Sequence, residues 1–170
     1  MKTIIYNYDK IKEETITDKV VRVKALIINS KNEILLGEAF DTIQFQGVHL
    51  EENESLQEGL TREVREETGI ILKDNYEPFF AIKYYMKDFP VIGNNRSIEI
   101  YYFYISTDEM YNLNNIYLDD QERTGDFKLF YVPLKKFRKV LYKNIDLLEI
   151  NSIITSEMLL AMKECKKIRR

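Results

Sequence analysis

Three glutamates lie close together in the run Arg62 to Ile70, just before a glycine that can end a helix. On a helix with about 100° per residue, Glu63 and Glu67 are about 40° apart and Glu66 lies about 60° beyond Glu63. The three carboxylates can therefore point toward one position. Because like charges repel, this cluster favours a neutralising cation, and Mg²⁺ or Mn²⁺ prefers carboxylate oxygen. The spacing predicts a divalent metal site.

The helix that carries these glutamates has a start signal and a stop signal. Ser55 and Glu58 fit a capping box, and Gly69 can take the left-handed conformation that closes a helix. An apolar stripe that can pack on a core recurs at every fourth position. The stripe consists of Leu56, Leu60 and Val64. We predict a helix over residues 55–68 with its acidic face beside this stripe.

The same stretch resembles the Nudix hydrolase family, whose sequence box reads G-x5-E-x7-R-E-U-x-E-E-x-G-U, with U an aliphatic residue. Glu54 and the run Arg62 to Ile70 match the box, and Val48 departs from it at the first glycine position. Gly47 precedes Val48, where many members carry two successive glycines. Eight of the nine specified positions match, across a loop, a helix and a helix end.

The resemblance covers about residues 20–142 and implies an α/β/α sandwich with a central mixed β-sheet. The chain has no repeat, low-complexity tract or linker, so we predict a single domain over 1–170, with a C-terminal helix within 143–170. The strand-like segments are 20–28, 33–37, 43–50, 76–87, 97–106 and 127–132. The first two are expected to form a hairpin, and 76–87 is expected to pair with 97–106. Helices are predicted over 134–142 and 152–167.

The resemblance implies attack by water on a diphosphate that joins a nucleotide-like group to another moiety. It assigns Glu63, Glu66 and Glu67 to the metal ions, with the Gly47 carbonyl as an additional ligand. Mg²⁺ or Mn²⁺ at a diphosphate offsets its charge and lowers the pKa of a bound water. The expected cofactor is therefore Mg²⁺ or Mn²⁺.

Four residues of the box are predicted to serve the reaction: Glu63, Glu66, Arg62 and Glu54. Glu63 is a candidate general base in addition to its role at the metal. The planar guanidinium of Arg62 suits a carboxylate partner, and Glu54 is the candidate. The competing interpretation of the acidic run is a solvated helix face with salt bridges.

Residues outside the box are also candidates for the site. Glu122 is our first choice for a further acidic metal ligand and Asp126 the second, and a solvated acidic loop is the alternative interpretation. Lys83, Tyr85 and Arg96 are candidates for substrate binding, because cations can hold phosphates and a tyrosine can stack on a base. Ordinary surface charge and core packing are the alternatives.

The composition of the chain indicates which binding partners and which cellular compartment to expect. The chain has 170 residues, a net charge of −3 and a pI near 5.4, so no overall field attracts nucleic acid or an acidic membrane. A single cysteine, Cys165, and the lack of a long apolar run predict a cytosolic protein without a membrane span. The aromatic strands and residues 1–19 are candidates for a homodimer interface.

Two other functions stay open from sequence. Val48 at the box glycine could tilt the loop beside the metal, which would suit a non-catalytic ligand-binding or regulatory module. A pyrophosphohydrolase acting on RNA 5′ ends is a narrower alternative. The acidic pI disfavours it, because tight RNA binding needs many cations that neutralise phosphates.

Overall fold

The structure is a computed structural model that describes residues 1–113, 116–117 and 126–169. Its strands are β1 (Lys2–Tyr6), β2 (Asp18–Ile28), β3 (Glu33–Ala39), β4 (Thr42–Gln44), β5 (Pro78–Met86), β6 (Arg96–Ser106) and β7 (Lys128–Pro133). Its α-helices are α1 (Leu56–Thr68), α2 (Phe137–Leu141) and α3 (Glu149–Ile168). No helix within these ranges is long and apolar enough to cross a membrane.

The described strands form one mixed sheet in the order β1-β5-β6-β2-β3-β4, with β7 paired to β3. β1 runs parallel to β5 and β2 parallel to β6, whereas the other pairs are antiparallel. The expected pairing of β5 with β6 is confirmed. β2 and β6 stay paired from Asp18 opposite Arg96 to Ile28 opposite Ser106, so β2 lies at the centre of the sheet.

Alternating side chains of β2 divide the interior into two cores. Val23 and Ala25 pack in the core that contains the α1 stripe, and Leu26 and Ile28 pack in the core that contains α3. The α3 side chains in the second core are Met158, Ala161, Met162 and Cys165. Helices therefore cover both faces of the sheet, and the predicted α/β/α architecture is confirmed.

The predicted strand over 43–50 is shorter than expected. β4 ends at Gln44, and only single bridges follow, from Gln46 to Ala25 and from His49 to Arg22. Gly47 interrupts the ladder because its φ of +134° lies outside the extended region. The predicted strand is thus a short strand followed by a turn.

Both ends of the chain differ from the predicted secondary structure. The segment 1–19, a candidate dimer segment in the sequence, contributes β1 to the sheet edge through five pairs with β5, from Lys2 opposite Phe80 to Tyr6 opposite Tyr84. The predicted helix over 134–142 is reduced to α2, because the residues after Pro133 form turns. The closing helix starts at Glu149, earlier than predicted.

Candidate active site

The caps of α1 fix the axial position of the three glutamates. The backbone N–H of Ser55 donates to Glu58 Oε2 (2.9 Å), and the backbone N–H of Glu58 donates to Ser55 Oγ (3.2 Å). Gly69 ends the helix with a φ of +74°. The predicted helix and both of its end signals are confirmed.

Arg62 and Glu54 form the predicted ion pair. Arg62 Nε donates to Glu54 Oε1 (2.8 Å) and Nη2 donates to Oε2 (2.9 Å), which is the two-bond geometry that a guanidinium favours. The hydrogen bond from Arg62 lowers the pKa of Glu54. Arg62 Nη1 also contacts Glu63, and it lies 3.2 Å from Glu66 Oε2. One guanidinium thus links the loop before α1 to two glutamates on the helix.

This ion pair predicts a pH-dependent contribution to stability. The pKa of folded Glu54 lies below its ordinary value of 4.5, so the pair stabilises the fold above pH 4.5 and the contribution is lost as pH falls through the lowered pKa. Glu54→Gln should lower the free energy of unfolding by about 1–3 kcal/mol at pH 7. Urea titrations should show this difference shrinking toward acid pH. A difference independent of pH, or equal to that of Glu52→Gln in the same loop, would contradict the prediction.

Two of the three glutamates are buried. Glu63 is 4 % exposed and Glu67 is 5 % exposed, whereas Glu66 is only partly buried. The N–H of Gly47 donates to Glu67 Oε2 at 2.9 Å. Burying two carboxylates one turn apart is costly unless cations lie nearby. This set of hard oxygen donors fits a divalent cation such as Mg²⁺ or Mn²⁺.

In the described part of the chain, no group of three His, Cys, Asp or Glu side chains is arranged as a formed metal site. Glu122, the predicted further ligand, lies outside the described residues. Asp126, the second choice, is exposed and forms an ion pair with Lys128. Glu63, Glu66 and Glu67 are among the described side chains, and their role as metal ligands stays a prediction.

The turn beside Glu67 depends on a single glycine. A Cβ on Gly47 would lie 2.0 Å from the Val23 carbonyl oxygen, and the φ of Gly47 is +134°. Val48 is not among the residues with positive φ, and its carbonyl accepts the N–H of Val23 at 3.0 Å. The sequence departure at Val48 thus leaves an ordinary backbone at 48. The turn's unusual backbone conformation therefore lies at Gly47.

Lys24, which the sequence analysis did not select, enters the site from the middle of β2. Its Nζ donates to the Gly47 carbonyl (2.7 Å), the Phe45 carbonyl (3.1 Å) and Gln44 Oε1 (3.1 Å). Burial lowers the pKa of Lys24, and the charge of Glu67 opposes this effect. A sequence signal existed, because Lys24 is the one charged residue within the run 23–28 of β2.

A cavity of about 240 Å³ opens beside Glu67, on the side of the sheet that α3 covers. Its polar lining includes Arg22, Lys24, Gln44, Gly47, His49, Glu67 and Glu157. Its apolar wall includes Phe45, Ile100, Ile154 and Met158. Arg22 Nε donates to His49 Nε2 at 2.9 Å, so this histidine nitrogen is an acceptor. The cavity is thus lined by two cations, Arg22 and Lys24, by apolar side chains and by the Glu67 carboxylate.

Glu157 is the carboxylate on the α3 side of this cavity. It accepts the hydroxyl of Tyr84 at 2.7 Å, and burial raises its pKa. The sequence analysis missed Glu157 and Arg22, because only the packing of α3 onto β2 brings them to one cavity.

The predicted substrate residues lie elsewhere. Lys83 pairs with Glu99 at 3.0 Å, on the sheet face opposite the cavity, and Tyr85 follows it on the same face. Arg96 pairs with Asp18 and lies over the ring of Phe89. None of the three predicted residues lines the cavity beside Glu67. Their role in binding stays a prediction, and the cavity offers a different set.

The chain is similar to several solved structures. A MutT protein from Bacillus halodurans is 20 % identical, with a TM-score of 0.50 over 71 % of this chain and 72 % of that chain. A MutT protein from Methanosarcina mazei Go1 is 22 % identical, with a TM-score of 0.47 over 70 % and 80 %. The Ap4A hydrolase of C. elegans is 14 % identical, with a TM-score of 0.48 over 89 % and 98 %. No curated protein matches the sequence.

The decisive comparison is with sequence families. The model of the NUDIX domain matches residues 18–148, which is most of the chain and includes the whole box, β2 and α1. The protein therefore belongs to the Nudix family, whose hydrolases act on phosphoanhydride bonds.

Proposed function

We propose that the protein is a divalent-metal-dependent pyrophosphohydrolase whose substrate is a nucleotide-like diphosphate linked to another moiety. One observation carries this proposal: the cavity beside Glu67 adjoins the glutamate face of α1. Phosphate groups at the glutamates would leave the rest of the substrate next to this cavity. The arrangement suits cleavage of a phosphoanhydride in a substrate that also carries a bulky group.

Glu63, Glu66 and Glu67 are the proposed holders of Mg²⁺ or Mn²⁺. When bound, such an ion offsets the charge of the diphosphate and supplies a water of lowered pKa. Arg62 keeps Glu63 and Glu66 in place through its contacts with both side chains. Glu63, buried beside that guanidinium, is the candidate to accept a proton from the attacking water.

The cavity is the proposed subsite for the part of the substrate that carries no phosphate. Pockets for ligands of drug size span about 300–1,000 Å³. The cavity volume of about 240 Å³ therefore suits one portion of a substrate, such as a planar ring. Arg22 and Glu157 offer a donor and an acceptor for polar groups of that ring, and Ile154 offers apolar contact.

A non-catalytic ligand-binding module is the second candidate function. It is favoured by one observation, namely that Arg62 contacts Glu63 and Lys24 lies near Glu67, so cations of the chain already offset the buried carboxylates. Such a site holds its charge balance without a metal ion. The two functions differ in whether ligand binding is followed by cleavage.

Metal binding predicts a thermal shift. Saturating Mg²⁺ or Mn²⁺ should raise the melting temperature, because an ion that binds only the folded state stabilises it by mass action. At a metal concentration about 100 times the dissociation constant, the stabilisation is about 2.7 kcal/mol. Glu67→Gln should remove most of this rise, whereas Glu77→Gln, an exposed control, should keep it. Equal rises in both variants would remove the basis for the site.

The experiment that tests the proposed function is a substrate screen with Mg²⁺ or Mn²⁺. The panel comprises nucleoside triphosphates, nucleotide sugars, ADP-ribose, dinucleoside polyphosphates and 5′-triphosphate RNA. We expect metal-dependent turnover of at least one small nucleotide and none of RNA. Tight binding of panel members without any cleavage would favour the binding module.

A further inference from the structure

Lys24 has a complete set of hydrogen-bond partners in one turn of the chain. An ammonium has three donors, and Lys24 directs them to three oxygens, those of Gln44, Phe45 and Gly47, at 2.7–3.1 Å. The shortest of these contacts is to the Gly47 carbonyl. This is the carbonyl that the sequence resemblance assigned to the metal.

We propose that the Lys24 ammonium, by donating to the Gly47 carbonyl oxygen, excludes divalent ions from this oxygen. The divalent ions of the site then bind the glutamates and not the Gly47 carbonyl. The inference rests on the proposed metal-dependent function and refines its ligand set. It makes Lys24 a positioning residue: the ammonium holds the turn, and the turn presents the Gly47 N–H to Glu67 at 2.9 Å.

Electrostatic repulsion opposes the binding of Lys24 and a divalent ion to the same Gly47 carbonyl oxygen. A divalent ion binds oxygen at about 2.0–2.6 Å. With Lys24 Nζ at 2.7 Å from the same oxygen, the two cations would lie no more than about 5 Å apart. Their repulsion at this distance is strong in a partly buried site. The ammonium and a metal ion therefore compete for the Gly47 carbonyl.

The position of Lys24 favours the ammonium in this competition. The strand fixes its backbone, since β2 is paired along its length with β6. Three neutral oxygens accept its three donors, and the turn that they belong to carries the N–H that reaches Glu67. Moving the side chain away would leave an unpaired ammonium in the cavity or three oxygens without their donor.

The wild-type protein provides the first test. Mg²⁺ is titrated into ¹³C,¹⁵N-labelled protein, and the Gly47 carbonyl is observed through the Val48 amide together with the side-chain carboxylates of Glu63 and Glu67. We expect the carboxylate resonances to move while the Gly47 carbonyl stays nearly unchanged. Movement of the Gly47 carbonyl together with the carboxylates would overturn this inference alone. No response of any of these groups at saturating Mg²⁺ would overturn the proposed function as well.

Mn²⁺ binding to variants, measured by electron paramagnetic resonance, provides the second test. Lys24→Met removes the competing charge and frees the carbonyl, so Mn²⁺ should bind at least about tenfold more tightly. Lys24→Arg keeps the charge and should remain close to the wild type. Lys19→Met is the matched control, because it removes the same charge from the same strand where Lys19 pairs with Glu99. Equal affinities of Lys24→Met and Lys19→Met would overturn the inference.

Discussion

Glu63→Gln should fold normally and lose at least about a hundredfold in turnover, the usual scale for removing a general base or a charged group that stabilises the transition state. Glu63 is 4 % exposed and lies against Arg62, so its carboxylate is both desolvated and oriented. The amide keeps the shape but neither accepts a proton nor offsets the charge of a metal ion. The measurement is kcat at saturating Mg²⁺ with the best substrate of the panel.

The control for this prediction is Glu77→Gln, an exposed glutamate outside α1. It should keep wild-type turnover, and both variants should give the circular dichroism spectrum of a folded protein without metal. If Glu63→Gln turns over at the wild-type rate, the chemistry must be assigned to other residues.

Gly47→Val should produce the second large loss of activity. Its φ of +134° strains any side chain at about 1–3 kcal/mol, and a Cβ would lie 2.0 Å from the Val23 carbonyl oxygen. The turn must therefore move, which displaces the N–H that reaches Glu67 and the carbonyl that Lys24 binds. We expect metal-dependent turnover to fall at least about tenfold while the circular dichroism spectrum stays that of a folded protein.

Val48→Gly is the matched variant, because it restores the glycine of the box. Val48 has an ordinary backbone, its carbonyl accepts the N–H of Val23, and it is one of several residues that line the cavity. Val48→Gly should therefore keep the turn at Gly47 and change activity little. Strong activation by Val48→Gly from a nearly inactive parent would instead mark Val48 as the residue that disables the enzyme.

Local signals explain what could be predicted from the sequence. The capping box, the glycine at 69 and the apolar stripe determine α1 within one short segment, and the structure confirms that helix. The pairing of Arg62 with Glu54 was also predicted, because a guanidinium suits a carboxylate partner and Glu54 lies in the loop just before α1. These features need no knowledge of distant parts of the chain.

Long-range packing explains what could not be predicted. β1 forms because Lys2–Tyr6 pairs with β5, which lies about eighty residues away in the chain. A parallel edge strand of this kind has no local sequence pattern that predicts its partner. The cavity depends on the placement of α3, which packs on one face of the sheet and brings Glu157 to the same cavity as Arg22 and Lys24. Lys83, which the sequence offered as a substrate-binding cation, is paired with Glu99 on the other face of the sheet.

The most direct test of the central claim is hydrolysis in H₂¹⁸O followed by ³¹P NMR, with the best-bound nucleotide diphosphate and Mg²⁺. The central claim is that water attacks a phosphoanhydride at the glutamate face of α1. We predict two phosphate-bearing products, or one such product and pyrophosphate, with ¹⁸O in one of them. No cleavage should occur without metal, and Glu63→Gln should cleave at least about a hundredfold more slowly. An intact substrate, bound by the folded wild-type protein in the presence of metal, would contradict the account.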